Sequence, residues 1–327
     1  MSFIFTDSQL LEKVNIYLSH LIYGKQPEGL YNPIKYAMSL GGKRIRPVLM
    51  LMAYNLYRDD VDCILSQAAG VETYHNFTLL HDDLMDNADL RRGKPTVHAK
   101  WSKNAAILSG DAMMLIAYRL MTDEGSKYVP SVMRVFSQAA LEVCEGQQYD
   151  MDFETRMDVS EDEYLEMIRL KTSVLLAASL KIGALLADAP DFDADSLYDF
   201  GINLGIAFQL RDDLLDVYGD PKVFGKKVGG DILCNKKTYL LIQALHRSDP
   251  RQLEQLMSWL HAEDYNPQEK IKAVTSLYDA LNIRSLCEER ISYYTQLAEI
   301  SLDKVKVAKD KKQPLLREMN KLMFREA

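Results

Sequence analysis

The chain has 327 residues, of which 47% are apolar and 26% are charged, and its formal net charge is −8 at pH 7. This composition is typical of a globular protein with a well-buried core and excludes a largely disordered chain. The acidic balance argues against nucleic-acid binding, because neutralising a phosphate backbone requires a surplus of Lys and Arg over one face.

The apolar residues recur at spacings of three and four in long segments. In chain order these are VDCILSQAAGVETYHNFTLLHDDLMD, LKTSVLLAASLKIGALLADA and LYDFGINLGIAFQLRDDLLDVY. The periodicity indicates long helices, and no run of alternating β-branched residues indicates a sheet, so we predict an all-α fold. No Pro/Ser-rich linker or repeat divides the chain, which predicts one domain over residues 1–327.

The cysteines and the apolar runs bear on where the protein works. The four cysteines lie far apart, without the spacing of a zinc site, and we interpret them as reduced thiols in a cytoplasmic protein. The start, MSFIFTDSQLLEK, lacks a basic region before an apolar stretch, and no later run approaches the ~18 apolar residues that span a bilayer. We therefore expect no stable membrane insertion.

The strongest feature is a repeated acidic motif. DDLMD at residues 82–86 recurs as DDLLD at residues 212–216, each near the end of an apolar helix. Residues i and i+4 share one helix face, so each motif presents a carboxylate pair that a cation must balance. Mg²⁺ is the natural candidate, since it joins one or two carboxylates to substrate phosphates. The alternatives are a solvated acidic helix end and a ferritin-like di-iron site, which would use Glu and Glu-x-x-His ligands instead.

Two cation clusters lie beside Gly and Pro, hence near helix ends or loops. They are GGKRIRP at residues 41–47 and RRGKP at residues 91–95. Arg offers a planar fork for phosphate oxygens and Lys a mobile point charge, so together they suit a second, metal-free diphosphate site. Each cluster alone would be consistent with a solvated basic surface.

Further phosphate ligands are predicted around the second acidic motif. Lys171-Thr172 interrupts an apolar helix, where a lone Lys could also extend to the surface, and Gln209 shares a helix side with Asp212 and Asp213. The loop GKKVGGD at residues 225–231, followed by Lys236, suits a lid over a phosphate or an ordinary mobile loop.

Taken together, the motifs resemble the trans-polyprenyl diphosphate synthase family, which includes the farnesyl and geranylgeranyl diphosphate synthases. From Gly41 to Tyr239 the markers are, in the family's order, GGKRIRP, HNFTLLHDDLMDNADLRRGKPTVH, GDAMM, EGQQYD, LKTSVL, FQLRDDLLD and GKKVGGD. The resemblance implies an isoprenoid synthase-type helical bundle around a central active-site cavity, acting as a homodimer.

The implied reaction joins isopentenyl diphosphate to dimethylallyl, geranyl or farnesyl diphosphate, gives geranylgeranyl or farnesyl diphosphate, and releases pyrophosphate. It uses Mg²⁺, with three ions in the substrate complex. The resemblance assigns the principal metal ligands to Asp82, Asp86 and Asp212, supported by Asp83, Asp213 and Asp216. It assigns the allylic diphosphate to Arg91, Lys171, Thr172, Gln209, Lys226 and Lys236. It assigns isopentenyl diphosphate to Lys43, Arg46, His75 and Arg92, and leaves His81 structural.

Product length is also implied by the resemblance. A bulky residue five positions before the first Asp forms a floor under the growing chain in this family, and that residue here is Phe77. The first motif lacks the two-residue insertion of the bacterial farnesyl type, so we expect a C15 to C20 product, with geranylgeranyl diphosphate favoured. Plain core packing is a compatible alternative role for Phe77.

Other functions remain open at this point. A class I terpene cyclase or squalene-synthase-like enzyme shares an Asp-rich Mg²⁺ site but ordinarily lacks the GGKRIRP and RRG pairing. A catalytically silent subunit of another synthase tends to lose its Asp motifs, whereas both are intact here. Metal storage alone is the remaining reading.

Overall fold

The computed structural model describes residues 3–122, 128–220 and 228–323. Apart from one short hairpin, the regular secondary structure of its described residues is helical, which confirms the all-α prediction. The helices are α1 Asp7–His20, α2 Glu28–Ser39, α3 Ile45–Asn55, α4 Leu65–Met85, α5 Val97–Lys100, α6 Lys103–Met121, α7 Val129–Glu154, α8 Glu161–Ile168, α9 Val174–Leu186, α10 Asp191–Tyr218, α11 Gly230–Leu233, α12 Tyr239–Arg247, α13 Pro250–Leu260, α14 Pro267–Ala280, α15 Ile283–Lys304 and α16 Lys309–Met323. A 3₁₀ turn, Val61–Ile64, precedes α4, and a π-helical turn, Arg169–Ser173, precedes α9.

The chain forms two compact units, each discontinuous in sequence. The first comprises Met1–Ser137, Ala178–Asp195 and Lys306–Leu315, and the second comprises Gln138–Ala177, Ser196–Val305 and Leu316–Ala327. The acidic motif at residues 82–86 and both cation clusters belong to the first unit, and the motif at residues 212–216 belongs to the second. A single domain over residues 1–327 stays a prediction.

In the first unit, helix α4 is buried around most of its circumference and packs against α3 and α6. The approach to α6 is close at Gly70, where a Cβ atom would lie 3.2 Å from the carbonyl oxygen of Ala117. Burial of large side chains such as Tyr74 stabilises this helix against its neighbours. The packing fixes the end of α4, which carries the first acidic motif.

The segment after α4, which contains the RRGKP cluster predicted near a helix end or loop, includes a short hairpin. Leu90–Arg91 and Lys94–Pro95 form a two-stranded antiparallel hairpin. The two turn residues, Arg92 and Gly93, have positive φ angles of 53° and 72°, as a two-residue hairpin turn of the primed type requires. The hairpin sets the positions of Arg91 and Arg92.

In the second unit, helix α8 begins at a capping box in which Ser160 and Glu163 satisfy each other's backbone amides. The π-helical turn that follows lies close to two other helices. A side chain at Gly146 of α7 would overlap the backbone of Lys171, and one at Gly205 of α10 would overlap Ser173. These two glycines therefore let α7 and α10 approach the segment that carries Lys171 and Thr172.

The structure also bears on the expectations about membrane insertion and the cysteines. Searching the described residues finds no helix with the length and apolar character needed to cross a bilayer. The four cysteines are free thiols: Cys287 is buried, and Cys63, Cys144 and Cys234 are exposed.

Candidate active site

The first acidic motif occupies the last turn of α4. Asp86 caps the helix, and its amide donates to the carbonyl of Asp82 at 2.9 Å. Asp82 is half-buried and Asp86 is exposed, so this pair of carboxylates is accessible from outside the helix packing. The i, i+4 placement agrees with the carboxylate pair predicted from the sequence.

The middle aspartate of this motif has a different environment. Asp83 is 5% exposed, and both of its oxygens accept from Nε of Arg91 at 2.7 Å. Nη2 of Arg91 also lies 3.7 Å from Asp82. Burial raises the pKa of the Asp83 carboxyl, against the opposing effect of Arg91. Arg91 thus links the hairpin to the motif in the first unit.

The residues assigned to isopentenyl diphosphate come together in the first unit. Nη1 of Arg46 lies 3.2 Å from Nε2 of His75 on α4. Arg92 donates to the carbonyl of Gly41, and its guanidinium would lie about 3 Å from a Cβ atom at Gly42, so it packs against the GGKRIRP loop. Lys43 is exposed on the same loop. The sequence placed these residues in separate motifs, and the fold assembles them.

The electrostatics of this cluster favour an anion. Burial lowers the pKa of Arg46 to about 10, although Glu72 opposes the shift. Burial, followed by the charges of Arg46, Arg92, Arg91 and Arg44, holds the pKa of His75 well below its usual value of 6.5. His75 is therefore neutral at physiological pH, and a diphosphate would reduce the repulsion among the arginines.

The predicted floor residue lies in an aromatic cluster. Phe77 is 8% exposed, and its ring makes edge-to-face contacts with Tyr74 at 5.3 Å and with His81 at 4.8 Å between centroids. Tyr74 in turn contacts Phe136 at 5.3 Å. His81 also approaches the carbonyl of Ile107 with Nε2 at 3.2 Å, which suits the structural role expected for it.

In the second unit, the middle aspartate of DDLLD is again buried. Asp213 is 4% exposed and accepts hydrogen bonds from the Tyr164 hydroxyl and from Nε2 of Gln209, the latter at 2.9 Å. Oε1 of Gln209 accepts from Thr172 Oγ1 at 3.1 Å. Burial, with the nearby charge of Asp231, raises the pKa of Asp213 to about 7, although Tyr164 and Gln209 lower it.

One small cavity gathers most of the predicted allylic diphosphate ligands. Its lining includes Lys171, Thr172, Gln209, Asp213 and Lys236, together with Asp150 and Tyr164. Lys171 donates to Asp150 at 2.6 Å. Burial would raise the pKa of Asp150, but Lys236 and Lys171 lower it on balance.

Sequence reasoning missed Asp150 and Tyr164 among the residues that line this cavity. Asp150 ends the marker EGQQYD, so that motif contained the only signal for it. Tyr164 carried none, because its contact with Asp213 joins helices distant in sequence.

The outer aspartates are more accessible: Asp212 is half-buried, and Asp216 accepts from the amide of Asp231 at 2.9 Å. Lys226 lies outside the described residues.

The donor chemistry of the motifs fits Mg²⁺. Within the described ranges, no group of three or more His, Cys, Asp and Glu side chains is clustered as a closed metal site. Mg²⁺ is commonly held by one or two carboxylates while phosphates and water complete its octahedron. Accessible carboxylate oxygens such as those of Asp82 and Asp86 suit that mode of binding.

Comparison with known proteins agrees with this site. Residues 27–278 match the family model described as polyprenyl synthetase. The chain is 41% identical to the short chain isoprenyl diphosphate synthase of Methanocaldococcus jannaschii, over 83% of this chain and 82% of that protein. It is 43% identical to the geranylgeranyl diphosphate synthase of Methanosarcina mazei, over 72% and 73%, and 38% identical to the geranylfarnesyl diphosphate synthase of Natronomonas pharaonis, over 83% of both.

The chain is also similar in structure to solved prenyl synthases. A crystal structure of a geranylgeranyl pyrophosphate synthase matches with a TM-score of 0.94 and 43% identity, covering 99% of this chain and all of that one. The geranylgeranyl pyrophosphate synthase of Corynebacterium glutamicum, complexed with isoprenyl diphosphate and magnesium, matches with a TM-score of 0.83 and 27% identity over 98% and 97%.

The chain belongs to the polyprenyl synthetase family. It is a prenyltransferase of isoprenoid biosynthesis, and this family uses isoprenyl diphosphate substrates and depends in general on Mg²⁺.

Proposed function

We propose that this prenyltransferase condenses isopentenyl diphosphate with dimethylallyl, geranyl or farnesyl diphosphate, gives geranylgeranyl or farnesyl diphosphate, and releases pyrophosphate. The observation that carries the proposal is the cavity in the second unit. Its lining combines Lys171 and Thr172 from one motif, Gln209 and Asp213 from a second, and Lys236 from a third. Cationic, amide and hydroxyl donors around one space suit a diphosphate.

The allylic substrate is the one that ionises, by cleavage of the bond between its allylic carbon and the diphosphate oxygen. Lys171, Thr172, Gln209 and Lys236 bind its oxygens, with Arg91 and Lys226 as further ligands. Their positive charges and donors stabilise the negative charge that develops as the allylic carbon–oxygen bond breaks. Asp82, Asp86 and Asp212 would hold three Mg²⁺ ions, which supply Lewis-acid stabilisation of the leaving pyrophosphate.

Isopentenyl diphosphate binds through Lys43, Arg46, His75 and Arg92. Neutral His75 orients Arg46 without adding charge. The double bond of isopentenyl diphosphate then attacks the allylic cation, and a proton is lost to the released pyrophosphate to form the new trans alkene. Apolar helix faces exclude water from the cation, and no protein general base is required.

Product length is set by the aromatic cluster below the first motif. Phe77 is buried against Tyr74, which is itself 1% exposed and contacts Phe136. A growing prenyl chain that reaches this cluster cannot extend without displacing a packed ring. We propose geranylgeranyl diphosphate as the main product, with farnesyl diphosphate next.

We further propose that the enzyme is a homodimer and works in the cytoplasm. The family resemblance supports the first, and the four free cysteines, three of them exposed, support a reducing compartment.

The proposal is tested by the product profile of the purified protein with Mg²⁺, labelled isopentenyl diphosphate and each allylic primer. We expect a C20 or C15 product from the wild type and longer chains from Phe77→Ala, since the truncation opens the floor. Phe153→Ala is the control, because Phe153 is also a buried phenylalanine, 2% exposed, but lies in the second unit.

Two other results would contradict the proposal. Absence of condensation with every primer would support a silent subunit, and a hydrocarbon formed from a primer alone would support a terpene cyclase. A C25 product from the wild type would correct only the assigned length.

A further inference from the structure

We propose that Glu72 is a positioning residue for the isopentenyl diphosphate site, acting through Arg44. Neither residue belongs to the ligand set assigned above. Their ion pair holds the loop at residues 41–44, which leads into α3, so that Arg46 in the first turn of α3, and Arg92 packed against the loop, are placed for the diphosphate. The inference rests on the proposed function and adds a specific role within it.

Arg44 combines an unfavourable backbone conformation with a buried charged side chain, and other contacts must stabilise both. It has a φ of 52°, in the left-handed region that is unfavourable for a residue with a Cβ atom, and it precedes the first residue of α3. Its side chain is buried rather than directed to solvent, and Nη2 donates to the carbonyl of Met38 at 3.0 Å. Contacts of the side chain therefore hold the loop in this conformation.

Glu72 supplies the principal contact. It is 2% exposed on α4, and Oε1 accepts from Arg44 Nη1 at 2.5 Å and from Asn76 Nδ2 at 3.0 Å. A buried carboxylate without a cationic partner is strongly unfavourable, and so is a buried guanidinium without an anion. The pair is therefore self-sufficient, and substrate is not needed to complete it.

The arginines near the loop divide into two kinds. Arg44 is compensated by Glu72, and Arg91 is compensated by Asp83. Across residues 3–122, 128–220 and 228–323, no ion pair within 4.0 Å joins Arg46 or Arg92 to a carboxylate, whereas Nε is buried without a hydrogen-bond partner in Arg44 and Arg46 alike. The ion pairs therefore distinguish the two kinds: the first supports the site, and the second presents positive charge to a diphosphate.

Helix α4 sets the register between these groups. Glu72 and His75 are three residues apart, on one face of the helix, and they contact Arg44 and Arg46 respectively. One face of α4 thus contacts two arginines at the start of α3: Arg44, which precedes the helix, by charge, and Arg46, in its first turn, by a neutral ring. Loss of the Glu72 contact would release Arg44 and, through the loop, displace Arg46.

The variant Glu72→Gln distinguishes a positioning role from a purely electrostatic one, because the two roles change the affinity for isopentenyl diphosphate in opposite directions. If Glu72 acted only through its negative charge, its removal would tighten the binding of an anionic substrate. If it positions the loop, affinity for isopentenyl diphosphate falls, and we expect about a tenfold loss. Isopentenyl diphosphate alone is not consumed, so its Kd can be measured directly by calorimetry without primer or Mg²⁺.

Steady-state kinetics supply the second readout. We expect KM for isopentenyl diphosphate to rise by about tenfold, while KM for the allylic primer changes by less than about twofold. Glu161→Gln is the matched control, because Glu161 pairs with Arg290 and accepts from Gln243 in the second unit. It is expected to leave both KM values unchanged. Unaltered or tighter isopentenyl diphosphate binding in Glu72→Gln overturns the inference.

Two further variants keep the test decisive if Glu72→Gln does not fold. Glu72→Asp retains the charge at a shorter reach and should partly restore affinity. Arg44→Lys keeps the ion pair but loses the planar fork that also reaches Met38, so it should selectively weaken the binding of isopentenyl diphosphate. If both variants bind isopentenyl diphosphate as tightly as the wild type does, the inference is overturned. Failure of the wild type to bind or condense isopentenyl diphosphate would instead refute the proposed function.

Discussion

The two acidic motifs share one sequence pattern but bury their middle aspartates by different means. In the first unit, Asp83 is paired with the charged guanidinium of Arg91. In the second, Asp213 accepts from the neutral donors Tyr164 and Gln209, and its pKa is raised to about 7. A repeated motif therefore does not imply a repeated environment. In both cases the middle carboxylate is buried and hydrogen-bonded, and the outer carboxylates are the more accessible ones.

The largest effect is expected at the first aspartate of each motif. Asp82→Ala and Asp212→Ala should each lower kcat by about a thousandfold, because each removes a carboxylate assigned to Mg²⁺. Turnover is measured with saturating Mg²⁺ and both substrates. Asp111→Ala, at an exposed position of α6, is the control and should retain wild-type turnover. Near-normal activity in Asp82→Ala would remove the metal assignment from the first motif.

A smaller effect should distinguish the two middle aspartates. Asp83→Asn removes the close counter-charge of the partly buried Arg91 and leaves it only the longer contact to Asp82, so we expect it to lower the free energy of unfolding by about 2 kcal/mol. Asp213→Asn keeps the shape and loses only hydrogen bonds to neutral donors, at a cost of about 1 kcal/mol. Urea unfolding of both variants without Mg²⁺ measures the difference. An equal or reversed order would contradict the contrast drawn between the motifs.

The effects of pH should have opposite signs in the two units. His75 is held neutral in the folded protein, so the unfolded state binds more protons below about pH 6.5. Its contribution to the free energy of unfolding should therefore fall by up to about 1.4 kcal/mol for each unit of pH decrease in that range. His75→Gln should remove this dependence, and His261→Gln, at an exposed site, should not.

Asp213 behaves in the opposite way. Its pKa is raised from 3.8 to about 7, so the folded protein binds the extra proton between these values. The contribution of Asp213 to stability should therefore decrease as pH rises from about 4 to 7. Asp213→Asn should remove this slope when unfolding is followed in the presence of a chelator. A wild-type slope in that variant would show that another group titrates there.

The sequence predicted what depends on local pattern. The segments around residues 61–86, 170–189 and 197–218 are helical as their periodicity indicated, and the Asp motifs lie near helix ends. The sequence pattern placed RRGKP only near a helix end or loop, and it did not predict that Arg92-Gly93 would take two consecutive positive φ angles and form a hairpin.

Contacts between distant segments could not be predicted in the same way. Glu72 reads in the sequence as one polar residue within an apolar helix, and its role depends on Arg44, which the fold brings to it. Tyr164 likewise acquires its partner Asp213 only through packing of α8 near α10. Periodicity reports which face of a helix is buried, but not which polar residue on another helix will meet it.

The π-helical turn at Arg169–Ser173 has a consequence for insertions and deletions. A π turn contains one residue more than the α-helical turn it replaces, so it shifts the angular phase of everything on one side of it by about 100°. Deletion of a single residue here would restore a regular α-helix and turn Lys171 and Thr172 away from the cavity they line. The number of residues in this turn is therefore as constrained as their identity. Because α7 and α10 approach the turn closely at Gly146 and Gly205, neither helix has space to adjust to a shifted turn.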